Sequence, residues 1–70
     1  MSVRLTAPQA ELLNDLYAAG ERGVFKSTGY SPASNLITLG YAKWAQRYDN
    51  GRSGKLVITA AGIRFKTGEL

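Results

Sequence analysis

The sequence predicts a small α+β domain of about three helices with a two- or three-stranded antiparallel sheet, and three observations carry that prediction. Thr6-Ala7-Pro8-Gln9 opens a leucine-striped helix, Ser31-Pro32 and Gly40 bracket a second, and Asp49-Asn50-Gly51-Arg52-Ser53-Gly54 joins two runs of strand-forming residues. Asn-Gly and Ser-Gly supply the positive φ angles that a hairpin loop needs, so the third stretch reads as a polar loop on a two-stranded ribbon.

The first helix begins at a capping box. The Thr6 hydroxyl can accept from the Gln9 backbone N–H while the Gln9 side chain reaches back to Thr6, and Pro8 sits in the first turn, where no N–H donor is needed. About three turns should follow, with Leu12, Leu13, Leu16 and Tyr17 forming one apolar stripe and Glu11, Asn14 and Asp15 on the other side. Gly20 is the expected left-handed cap. After a turn at Glu21-Arg22-Gly23, Val24-Phe25-Lys26-Ser27 reads as a short strand, and Thr28-Gly29-Tyr30 breaks the pattern again.

Ser31 is the expected N-cap of the second helix, with Pro32 at its first position. The helix should run to Leu39, pointing Leu36 and Leu39 at the core and leaving Ser34, Asn35 and Thr38 outside, and Gly40 can take the left-handed conformation that ends it. Residues 41 to 48 then form a strand. Strict alternation places Ala42, Trp44, Gln46 and Tyr48 on one face and Tyr41, Lys43, Ala45 and Arg47 on the other. In the returning strand, Leu56 and Ile58 share one face and Lys55, Val57 and Thr59 the opposite one. Thr59 caps a last helix of residues 60 to about 66, with Ile63 as its main core residue and Gly68 as its end.

Seventy residues allow one domain, residues 1 to 70. At this size folding removes only about 60% of the unfolded chain's surface from water, so a second copy in a homodimer is an expected source of stability. The chain has no cysteine and no histidine, hence no disulfide and no conventional zinc set. It holds no apolar run long enough to span a bilayer, and its N-terminus shows no apolar signal core. The expected setting is therefore cytoplasmic, without a membrane partner.

Charge is unevenly placed. In residues 1 to 42, Arg4, Arg22 and Lys26 cancel Glu11, Asp15 and Glu21, so the net charge of +4 resides in residues 43 to 70. A basic half attracts a polyanion at long range and gains from release of condensed counterions. The five carboxylates, at positions 11, 15, 21, 49 and 69, form neither a general acid/base pair nor a metal box, and no glycine-rich stretch has the lysine and strand-to-helix context of a phosphate loop. A binding protein is expected, without catalytic residues or cofactor.

The order Leu36-x-x-x-Gly40-Tyr41-Ala42, a basic hairpin, then Val57-Ile58-Thr59-Ala60-Ala61-Gly62 resembles the end of MarR-like and PadR-like winged helix-turn-helix domains. The resemblance covers roughly the second half of the chain and its first helix. It implies a small winged helix, with residues 31 to 39 as recognition helix and residues 43 to 57 as wing. One departure is plain: only residues 24 to 30 lie where the helix that braces the recognition helix would stand.

The expected function is a small DNA-binding protein, a transcriptional regulator that docks on double-stranded DNA through Ser31, Ser34, Asn35 and Thr38 of the helix and Lys43, Arg47, Asn50, Arg52, Ser53 and Lys55 of the wing. Short polar side chains reach base edges, and wing cations touch phosphate or the minor groove. Arg47, Arg52 and Lys55 should ring the loop on one face. The alternative is a non-enzymatic module or inhibitor, of the kind a phage encodes, that keeps the shape and binds a protein partner through exposed aromatic surface. The helix has no arginine or lysine to read guanine, which favours the alternative, whereas the basic wing favours DNA.

Overall fold

In a computed structural model, which describes residues 4 to 68, helix α1 (Ala7–Ala19) leads through a 3-10 turn (Gly20–Arg22) to strand β1 (Val24–Ser27). Helix α2 (Ser31–Thr38) follows, then β2 (Ala42–Tyr48), a turn (Asp49–Gly51), β3 (Ser53–Ile58) and helix α3 (Ala60–Thr67). Met1, Ser2 and Val3 of the N-terminal reading and Glu69 of the charge balance lie outside the described residues. The three strands form one antiparallel sheet in the order β1-β3-β2. Three helices and an open antiparallel sheet make the chain α+β, in the arrangement of a small winged helix.

The expected caps form, with two exceptions. Both halves of the Thr6–Gln9 box are present. At the end of α2 the Tyr41 N–H donates to the Leu36 carbonyl and the Gly40 N–H to the Ile37 carbonyl, with Gly40 at φ 82°. That double closure is a Schellman motif, which satisfies two carbonyls the helix end leaves open. Thr59 caps α3 by accepting from the Gly62 N–H, and its own hydroxyl donates to the Gly40 carbonyl at 2.6 Å, tying the end of α2 to the start of α3. The first exception is Gly20, whose ψ of −130° is not left-handed helical, because the chain continues into the 3-10 turn. The second is Ser31, which lies inside α2; Tyr30 holds the N-cap position without a side-chain bond.

Leu12, Leu13 and Leu16 of α1, Ala33 and Leu36 of α2, and Tyr41, Ala42 and Leu56 beside them form the core, with Val24, Trp44, Ile58 and Phe65 packed at its edge. Two expected core residues, Leu39 and Ile63, and the aromatic member of the first helix's stripe, Tyr17, are outside it. Tyr17 is exposed because α1 is covered on one side only; Leu39 follows the last turn of α2 and swings out; Ile63 of α3 is exposed as well. The last helix is seated instead by Phe65, stacked on Tyr41 at 4.7 Å between ring centroids, and by Gly62, which lies flat against the Tyr41 backbone.

Candidate nucleic-acid interface

The faces of the wing are set by its register. Ala42 pairs with Ile58, Lys43 with Val57 and Trp44 with Leu56, but the next pair is Gln46 with Lys55, followed by Arg47 with Gly54 and Tyr48 with Ser53. Ala45 is an extra residue, a β-bulge, and one inserted residue reverses the faces of everything beyond it. Strict alternation therefore fails after Trp44. Arg47 turns to the inner face, where Leu56 and the helices lie, while Gln46 and Tyr48 join Lys43 and Lys55 on the outer face.

What fills the gap at the bulge is visible at Gly54. A Cβ there would stand 2.9 Å from the Trp44 ring and 2.7 Å from the Gln46 carbonyl oxygen, so Trp44, half-buried, lies across the glycine. The positive φ angles of the hairpin belong to Asp49 (53°), Asn50 (55°) and Gly51 (86°) rather than to Gly54, whose role is close approach. Aspartate and asparagine tolerate the left-handed region better than most residues, which suits them to this turn.

The same register brings a third strand into the wing. Lys26 of β1 pairs with Gly54, which pairs with Arg47, so the two cations flank one glycine on the inner face, two strand spacings or roughly 10 Å apart. The Lys26 ammonium lies 5.2 Å from the Tyr30 ring centroid, directly before α2. Arg52 is exposed at the tip, and its carbonyl accepts from the Thr28 N–H at 2.9 Å. The Thr28 hydroxyl donates to the Gly51 carbonyl at 2.7 Å. The short turn between β1 and α2 thus clamps the wing tip beside the N-terminal end of α2.

The ten residues expected at a DNA surface separate into two groups. Ser31, Ser34, Asn35 and Thr38 are all exposed on α2. Arg47 shares their side of the sheet, and Asn50 and Arg52 stand exposed at the tip. Lys43, Ser53 and Lys55 point from the outer face, away from the helix, so the expected ring of Arg47, Arg52 and Lys55 is not on one face. Lys26 was missing from the expected set. Its signal was the alternation of β1 itself, which places Lys26 with inward-facing Val24 and leaves Phe25 outside.

The outer face carries the main exposed aromatic feature. Phe25 is 68% exposed, and its ring lies 5.7 Å from that of Tyr48 at an interplanar angle of 42°. Nearby, a shallow pocket of about 440 Å³ opens beside Val57, with Glu21, Lys43, Lys55 and Ile63 in its lining. Among the described residues no group of three or more acidic, histidine or cysteine side chains is placed to hold a metal ion, and no helix is long and apolar enough to cross a membrane. Comparison with known proteins finds no matching family model, no matching curated protein and no matching solved structure.

Proposed function

We propose that this chain is a small, non-enzymatic DNA-binding protein that acts as a transcriptional regulator and docks on double-stranded DNA through α2 and the inner face of the wing. The observation that carries the reading is the Thr28 clamp, which sets the wing tip beside a helix whose outward residues are short and polar. Lys26, Arg47 and Arg52 then supply phosphate contacts around α2, and no carboxylate occurs between Arg22 and Tyr48 to oppose them. Without arginine or lysine in α2, base readout rests on Ser34, Asn35 and Thr38, so affinity is mostly electrostatic and sequence preference modest.

The test is fluorescence anisotropy with a labelled mixed-sequence duplex at two salt concentrations. Three phosphate contacts imply roughly a 40-fold loss of affinity between about 50 and 200 mM salt. A second reading, a module or inhibitor that binds a protein partner, is favoured by exposed apolar groups at both ends of α2, Tyr30 and Leu39. Absence of duplex binding at low salt selects it.

A further inference from the structure

The outer face of the sheet is a second surface that the duplex reading leaves unused, and its composition is specific. Phe25 and Tyr48 come from the two edge strands and meet across β3. Lys55 of β3 pairs with Phe25 on one side and with Gln46 on the other, so a cation rises among the aromatic residues. Lys43 lies farther along β2 on the same face, and Ser27 pairs with Ser53 near the tip. The Tyr48 hydroxyl donates to Gln46 Oε1 at 2.8 Å, which engages the carbonyl end of that exposed side chain and leaves its amide N–H groups as donors.

Three kinds of occupant compete for such a face. A second copy of the chain would bring Lys43 and Lys55 of both copies together, in a molecule already at +4. An apolar protein surface would seek aliphatic area around the rings, yet Val57 of β3 is 9% exposed and covered beside the turn at Gly23, and the exposed Ile63 lines the pocket with Glu21, Lys43 and Lys55, which neither ring lines. What remains is two open rings in a cationic, hydroxyl- and amide-bearing field. That is the composition that stacks nucleobases while lysines follow the phosphates.

We propose that the outer face binds single-stranded nucleic acid, with Phe25 and Tyr48 as stacking platforms and Lys43 and Lys55 as backbone contacts. This surface is separate from the duplex-binding face and stands or falls independently of it. The experiment is anisotropy of a labelled 12-mer of thymidine, run beside the mixed-sequence duplex, on the wild type, Phe25→Ala, Phe25→Trp and the double variant Arg47→Ala with Arg52→Ala. Phe25 is exposed, so its variants should fold, and circular dichroism confirms it. The expected result is a loss of about 5-fold or more in 12-mer affinity for Phe25→Ala, recovery in Phe25→Trp, and duplex affinity unchanged within about 2-fold. The Arg47/Arg52 variant should weaken the duplex more than the 12-mer. The proposal is overturned if the wild type does not bind the 12-mer, if Phe25→Ala binds it as the wild type does, or if Phe25→Ala weakens both nucleic acids equally. It is likewise overturned, in favour of an acidic protein partner, if a 12-residue polyglutamate displaces the 12-mer as well as unlabelled thymidine does.

Discussion

The Thr28 backbone N–H donates to the Arg52 carbonyl at 2.9 Å, and the Thr28 hydroxyl, bonded to Gly51, lies 3.0 Å from the same Arg52 oxygen. A two-residue relationship so holds the wing tip to the turn that starts α2, twenty-four positions earlier in the chain. Thr28→Val keeps the shape and the backbone bond but removes the hydroxyl. We expect a loss of about 1 kcal/mol in stability, the net worth of one hydrogen bond, and a several-fold weaker grip on duplex DNA because the tip is less well placed. Urea unfolding and anisotropy on one preparation measure both.

Gly62 tests the seat of α3. Alanine is the better helix former by up to about 1 kcal/mol, so propensity alone predicts stabilisation. A Cβ at this position would meet the Tyr41 carbonyl oxygen and stand 2.7 Å from Ile58 Cγ1. Backbone cannot move aside as a flexible side chain can, so the clash wins: Gly62→Ala should lose about 1 to 3 kcal/mol net. A raised melting temperature for the variant would refute the described packing of α3 on Tyr41.

Leu36 is wholly buried between α1 and the sheet, and Leu36→Ala should cost about 2 to 5 kcal/mol by lost transfer and a residual cavity. In a chain of this size that is most of the stability available, so the variant should be largely unfolded at 37 °C by circular dichroism. Leu39→Ala, one turn on and exposed, should change stability by less than about 0.5 kcal/mol. Equal losses from the two would mean that α2 is rotated from its described position.

Deleting Ala45 tests the bulge. Without the extra residue, Gln46, Arg47 and Tyr48 follow Trp44 in strict alternation, so they keep their pairing with Lys55, Gly54 and Ser53 and Arg47 stays on the inner face. Duplex affinity should stay near the wild-type value, and Arg47→Ala should lower it as far in the deletion as in the full chain. A deletion that lowers affinity as far as Arg47→Ala, with no further effect of that substitution, would contradict the described register.

Much of the fold was legible because local chemistry and global packing agree. The Thr6 box, β1, the Gly40 stop, the Thr59 cap and the Gly68 end each depend on residues within a few positions, and each forms where the sequence puts it. The misreadings share a different origin. Leu39 and Ile63 have the right helical period but stand where no neighbouring element covers them, and coverage is a property of the assembled fold. The bulge is the consequential case: Gln46-Arg47-Tyr48 looks like uninterrupted alternation, and only the approach of Trp44 to Gly54 across the hairpin betrays the extra residue. Ser34, Asn35 and Thr38 were read on the exposed side of α2 because Leu36, buried with Ala33 on the other side, fixes the rotation of a short helix; wing residues were not placed correctly, because one insertion inverts them.

The division of wing cations between two faces is most directly measured by the salt dependence of duplex binding in two double variants, Arg47→Ala with Arg52→Ala and Lys43→Ala with Lys55→Ala. Each removes two positive charges, so the loss of long-range attraction is the same for both, and a difference reports which side chains touch phosphate. The slope of log affinity against log salt should shrink by roughly two in the arginine pair and stay near the wild-type value in the lysine pair. Equal slopes in the two variants, or a larger change in the lysine pair, would contradict that division.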